Sequence, residues 1–131
     1  MRQLNNLGDL IDPQQPSARL ALIDLGGDSG PRELSYGDLS RLIQATARAL
    51  VRRGLQRGDR VAILSANRSE YLAAYFGAMQ AGFVPVPVNH RFPQEMSDFV
   101  IRDAGAKLVF CDAERRAACP DALPTIVFST V

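Results

Sequence analysis

Three short runs of consecutive apolar residues restrict the fold of this chain more than any other feature: Val61-Ala62-Ile63-Leu64, Val84-Pro85-Val86-Pro87-Val88 and Leu108-Val109-Phe110-Cys111. An unbroken apolar run of strand length suits a strand covered on both faces, which is the situation in a parallel sheet. Parallel neighbours need a crossover of a dozen or more residues, usually helical. The intervals between the runs are long enough for this, and they carry apolar residues at helical spacing. The spacing therefore predicts strands at 61–64, 84–88 and 107–111 in one mostly parallel sheet. It places helices over 38–53, 69–81 and 93–103, with right-handed crossovers. The fold class is α/β, a mostly parallel sheet flanked by helices.

Local signals add detail. Leu20 to Leu25 and Glu33 to Tyr36 flank the turn-rich Gly26-Gly27-Asp28-Ser29-Gly30-Pro31 and predict a short N-terminal hairpin. Ser35 and Asp38 are spaced as a capping box ahead of Leu39, Leu42, Ile43, Thr46, Ala49 and Leu50, and Gly54 is placed to stop that helix. Asn67 and Glu70 read as the cap of the second helix, with Leu72, Tyr75, Phe76 and Met79 as its apolar stripe. Ala73, Ala74, Gly77 and Ala78 are small enough to let a neighbour come close. Pro85 and Pro87 lie two apart, so one lateral side of their strand lacks donors and should be an edge. Pro93 fits the first turn of the third helix, with Met96, Phe99 and Val100 facing inward. A short helix at 114–119 and a last strand at 125–128 complete the reading. Residues 1–17, broken by Pro13 and Pro16, read as a tail or linker, and 18–131 as a single α/β domain.

Composition removes several function classes. The chain has 131 residues, 47% of them hydrophobic, and a formal net charge of +1. That is one domain with a real core and no field that would gather nucleic acid. Arg41, Arg48 and Arg52 share a helix face and read as solvated. No apolar stretch approaches the roughly 20 residues that span a bilayer, and the first residues hold no apolar signal core. Cys111 and Cys119 read as free, structural thiols, as in a reducing cytoplasm. Lys107 is the only lysine and His90 the only histidine. The chain thus offers no Gly-x-x-x-x-Gly-Lys phosphate loop, no placed Schiff-base lysine and no His cluster for a metal. The glycines at 26–30 do not open a helix and are no phosphate cradle.

A family resemblance rests on several pieces in order. Leu34-Ser35-Tyr36-Gly37-Asp38-Leu39 resembles the Leu-Thr-Tyr-x-Glu-Leu opening of the adenylate-forming enzymes. Gly58-Asp59-Arg60-Val61-Ala62-Ile63-Leu64 with Asn67-Arg68-Ser69-Glu70-Tyr71 is similar to their Gly-Asp-x-Val-Ala-Ile…Asn-x-x-Glu stretch. Ala81-Gly82-Phe83-Val84-Pro85-Val86-Pro87-Val88-Asn89 looks like their Ala-Gly-x-Val-x-Val-Pro-x-Asn element, and Asp103-Ala104-Gly105-Ala106-Lys107-Leu108-Val109-Phe110 closes the match. Pro87-Val88-Asn89-His90-Arg91-Phe92-Pro93 leans toward the acyl-CoA synthetases.

The resemblance implies the N-terminal subdomain of the acyl-CoA synthetase-like fold and a two-step ligase. A carboxylic acid and ATP, with Mg, give an acyl-adenylate, and coenzyme A then forms the thioester. The family's phosphate loop, ribose-binding Asp, hinge and C-terminal lysine have no counterpart in this sequence. The chain is therefore expected to be a fragment, inactive alone, with no catalytic residue and no metal ligand of its own, and to form homo-oligomers through an uncovered apolar surface. Alternatives of other classes are a free-standing α/β interaction module without catalysis and an independent nucleotide-binding domain. Arg91, Asn89 and His90, at the carboxyl end of a parallel strand, are the candidate residues for the coenzyme A side. Arginine suits phosphate through its planar fork of donors. Phe92 stands where many members have a polar helix cap.

Overall fold

The computed structural model describes residues 4–26 and 30–128. The middle of the predicted turn after Gly26 and the last three residues lie outside that range. Strands β1 (Leu20–Asp24) and β2 (Arg32–Ser35) form a separate antiparallel hairpin. Helix α1 (Tyr36–Arg52) follows, then β3 (Arg60–Leu64), α2 (Ser69–Gln80), β4 (Val84–Val88), α3 (Gln94–Asp103), β5 (Ala106–Cys111), a 3-10 helix (Ala113–Ala118) and β6 (Thr125–Val127). The main sheet has the order β4-β3-β5-β6, and every neighbouring pair is parallel.

The prolines explain why β4 is the edge. The Val84 N–H donates toward the β3 side, to Asp59 O at 2.8 Å. Alternate residues then turn their missing donors outward, where no strand waits. Side chains alternate across the sheet as a two-residue period requires. Val61, Ile63, Leu108 and Phe110 pack with Leu50, Ala74, Ala78 and Phe83 on one face. Ala62, Leu64, Val109 and Cys111 pack with Val88, Ile101 and Cys119 on the other.

Helix α1 starts as its sequence predicts. The Asp38 N–H donates to Ser35 Oγ at 3.1 Å and the Ser35 N–H to Asp38 Oδ2 at 3.0 Å, closing a capping box. Of its predicted inward residues, Leu39, Ile43 and Leu50 are buried, whereas Leu42 and Ala49 stay exposed.

Helix α2 lies between α1 and the sheet, and this reverses the expected stripe. Its buried residues are the small ones, Ala73, Ala74, Gly77 and Ala78, while Leu72, Tyr75, Phe76 and Met79 are only half-buried. A helix squeezed from two sides must be thin on both. At Gly77 a Cβ would lie 2.8 Å from Ile43 O and 2.9 Å from Thr46 Cβ. The expected Asn67 cap is also absent. The residue preceding the helix is Arg68, with no side-chain cap bond, and Asn67 is exposed. The first-turn Ser69 N–H donates instead to Asp24 Oδ2 of β1, at 2.8 Å.

Helix α3 is rotated from its expected orientation. Ser97 and Ile101 are buried, with Val100 beside them, while Met96 is 48% and Phe99 63% exposed. Pro93 sits at the cap position, just ahead of the first turn. The far end of α3 is held by Arg60, which donates to Ala104 O at 2.8 Å and Gly105 O at 3.1 Å. A cation there satisfies orphan carbonyls and opposes the negative end of the helix dipole.

The segment ahead of the hairpin contains turns and is fastened to α2. Gln80 Nε2 donates to Gly8 O at 3.1 Å, and Asn6 Nδ2 to Gln80 O at 3.4 Å.

Candidate functional site

Ligands in open α/β sheets bind outside the carboxyl ends of the strands, at the point where successive crossovers leave for opposite faces. Here β3 leads outward to β4 through α2 on one face and β5 leads outward to β6 through the 3-10 helix on the other, so that point lies between β3 and β5. Three loops meet the carboxyl edge: Ser65–Arg68 after β3, Asn89–Arg91 after β4, and Asp112 after β5.

The gap between β3 and β5 is bridged by the chain itself. Asp112 Oδ2 accepts the Ala66 N–H at 2.9 Å, and the same carboxylate pairs with Arg115. Burial acts to raise the Asp112 pKa, but the Ala66 N–H and the Arg115 charge outweigh it and hold the carboxyl below its ordinary range.

The second polar constellation was not legible as such in the sequence. Asp24, nearly fully buried, accepts the Ser69 hydroxyl at 2.7 Å, the Ser69 N–H at 2.8 Å and Arg32 Nη2 at 2.7 Å through Oδ2, and the Gly26 N–H at 2.8 Å through Oδ1. Arg32 also reaches Glu70 at 2.9 Å, and Arg68 Nε donates to Glu70 at 2.7 Å. Burial would raise the Asp24 pKa, yet the Ser69 and Arg32 bonds hold it well below the carboxylate range. Beside this network lies a cleft of about 480 Å3, walled by Leu22, Leu25, Tyr71 and Leu72. The only signal was Asp24 closing an apolar run. Glu70 reads locally as a cap partner, and nothing in the sequence ties it to a strand far upstream.

The predicted residues sit where the strand order puts them. Arg91 is exposed at the carboxyl edge, and its guanidinium has no partner among the described residues. Its N–H donates to Asn89 Oδ1 at 3.0 Å, a turn that joins these two. Asn89 is exposed and His90 half-buried. Lys107 is exposed near the start of β5, at the opposite end of the sheet, where the β3–β5 register slips.

The sequence model for the AMP-binding enzymes matches residues 12–129. The chain belongs to the AMP-binding enzyme family. It is 38% identical over 85 residues to the 3-hydroxybenzoate–CoA ligase of Aromatoleum sp. (strain CIB), which covers 65% of this chain and 16% of that protein. It is 32% identical to the crotonobetaine/carnitine–CoA ligase of Citrobacter koseri (strain ATCC BAA-895 / CDC 4225-83 / SGSC4696), over 73% of this chain and 19% of the ligase. The fold superposes on the Klebsiella oxytoca NpsA N-terminal subdomain in complex with 3-hydroxybenzoyl-AMSN, with a TM-score of 0.78 and 29% identity, covering 95% of this chain and 31% of that one. A Brucella canis acyl-CoA synthetase gives 0.77 and 25%, covering 90% and 23%. The chain thus spans less than a fifth of the length of those two curated ligases.

Lys107 is at the other end of the sheet, and Arg32, Arg68 and Arg115 are already in ion pairs. Among the described residues no three His, Cys, Asp or Glu side chains cluster as metal ligands, and no helix is long and apolar enough to cross a membrane.

Proposed function

We propose that this chain is the N-terminal subdomain of an ATP-dependent acyl-CoA ligase, which joins a carboxylic acid to coenzyme A through an acyl-adenylate. The observation that carries the reading is the family match over residues 12–129 together with a sheet of N-terminal-subdomain topology. ATP, Mg and coenzyme A belong to the longer enzyme, and the phosphoryl-transfer residues come from outside this chain. The chain alone is expected to show no carboxylate-dependent exchange between ATP and pyrophosphate. Exchange above a buffer control would overturn that. Absence of exchange in a longer polypeptide that adds the phosphate loop and C-terminal domain would favour a free-standing interaction module instead.

Arg91 is the residue proposed to face coenzyme A. It is an exposed cation beside the β4 carboxyl end, without a partner for its guanidinium among the described residues, with Asn89 ordering its turn and His90 next to it. In the full-length ligase, Arg91→Ala should spare adenylate formation and weaken the thioester step. A charge-assisted hydrogen bond is worth about 1.5–3 kcal/mol, so the apparent affinity for coenzyme A should fall roughly ten- to hundredfold. Equal affinity in wild type and variant would remove Arg91 from the site.

The isolated chain is also expected to self-associate. Large apolar side chains open to solvent include Ile23 and Leu25 on the hairpin and Met96 and Phe99 on α3. Apolar patches of this kind favour association. Light scattering should report a dimer or larger at high protein concentration, and a monomer throughout would count against it.

A further inference from the structure

Two buried thiols take no part in the site described above. Cys111 ends β5, and Cys119 directly follows the 3-10 helix. Both belong to the apolar cluster under α3, with Ala62, Leu64 and Ile101 as neighbours. Packing in one cluster brings the two side chains close enough for each thiol to influence the other's titration, and Cys119 Sγ donates to Arg115 O at 3.5 Å.

We infer that Cys111 and Cys119 form a redox couple, which a small disulfide of the glutathione class converts to an intramolecular disulfide clamping the 3-10 helix onto the end of β5. The Cys119 thiolate attacks one sulfur of the oxidant, giving a mixed disulfide and releasing one thiol. Cys111 then loses its proton to water and attacks the Cys119 sulfur, expelling the second thiol. Two protein S–H bonds and one external S–S bond become one protein S–S bond and two external S–H bonds.

The surroundings set how this happens. Burial pushes the Cys111 thiol up to about 12 and raises Cys119 as well. Arg116 favours a thiolate at either sulfur, while Asp112 opposes it at both and Asp98 opposes it at Cys119. The closed state is therefore unreactive, and reaction proceeds through opening of the 3-10 helix. That helix buries none of its own residues, and 3-10 hydrogen bonds are poorer than α-helical ones, so it opens ahead of the sheet. The clamp would sit beside Asp112, the residue that spans the gap between β3 and β5.

The test equilibrates the purified chain with reduced and oxidised glutathione, folded and in urea, followed by alkylation, intact mass and peptide mapping. The expected product of the folded chain has lost two hydrogens and both alkylation sites, and contains one peptide linked through 111 and 119. Its disulfide should be favoured at least about tenfold more in the folded chain than in urea, because folding holds the sulfurs together. Cys119→Ser should abolish the linked product. The mapping of the unaltered chain decides the matter even if that variant fails to fold. A stable glutathione adduct, an intermolecular dimer, or two free thiols under conditions that oxidise the urea-unfolded chain would each overturn the inference.

Discussion

Replacing Gly77 by leucine should be among the most damaging single changes in this chain. The helix carrying Gly77 is held against α1 so closely that even a methyl group meets a backbone oxygen, Ile43 O, at 2.8 Å. That wall cannot rotate away as a side chain could. Overpacking ordinarily costs about 1–3 kcal/mol and occasionally more, and a leucine against backbone belongs at the upper end. Domain stability is only roughly 5–15 kcal/mol in total, so the urea midpoint should fall steeply. Gly77→Ala should cost less, since alanine regains up to about 1 kcal/mol of helix propensity. Ala45→Leu, on the exposed side of α1, should stay within about 0.5 kcal/mol. A Gly77→Leu midpoint equal to that of the unaltered chain would show that the two helices are not in close contact.

The second large effect is expected at Asp24. Asp24→Ala strips the acceptor from Ser69 and from Gly26, and leaves Arg32 with Glu70 as its one ion-pair partner among the described residues, beside its bond to Ser69 Oγ. Leaving a buried donor such as the Ser69 N–H without an acceptor costs about 1–3 kcal/mol, and the lost Arg32 pair adds to it. The pH dependence follows from the direction of the shift. The folded-state pKa of Asp24 is depressed below its ordinary 3.8. Its contribution is therefore fully present above that value and is lost as pH falls through it toward the folded pKa. Glu70 and Asp112 are depressed too and add to the same trend. Chemical denaturation between about pH 5 and pH 2 should show stability falling with acid, and the slope should be shallower in Asp24→Asn. An unchanged slope would mean that the Asp24 carboxylate is not what ties the hairpin to α2.

Much of the fold could be read from residue order because its signals are local. An apolar run with no polar partner on either face suits a strand covered twice, and β3 and β5 are such strands, whereas β4, at the edge, buries only Val88. Two prolines two residues apart can only belong to an edge, and β4 is the edge. Ser35 and Asp38 carry both halves of their cap within one turn. Arg91 is placed by the same logic, as the residue that follows a parallel strand at its carboxyl end, and it is exposed there.

Features that depend on distant partners were not legible. The start of α2 is capped from β1 by Asp24, so no neighbouring residue could announce it, and Asn67 was the wrong candidate. Helix α3 carries two overlapping stripes at helical spacing, Met96-Phe99-Val100 and Ser97-Val100-Ile101. Periodicity accepts either stripe, and hydrophobicity alone prefers the first. The seat offered by β4 and β5 selects the second and leaves Phe99 in solvent. Likewise α2 buries its small residues because α1 lies on its other side, a fact stated by no residue within the helix. Sequence alone thus determined which segments are strands and helices and at which end of the sheet Arg91 stands, since those follow from backbone sterics and short-range hydrogen bonding. Tertiary structure decided which side of each helix is buried, who caps α2 and that Cys111 and Cys119 share one buried cluster, because those depend on where the remaining layers lie.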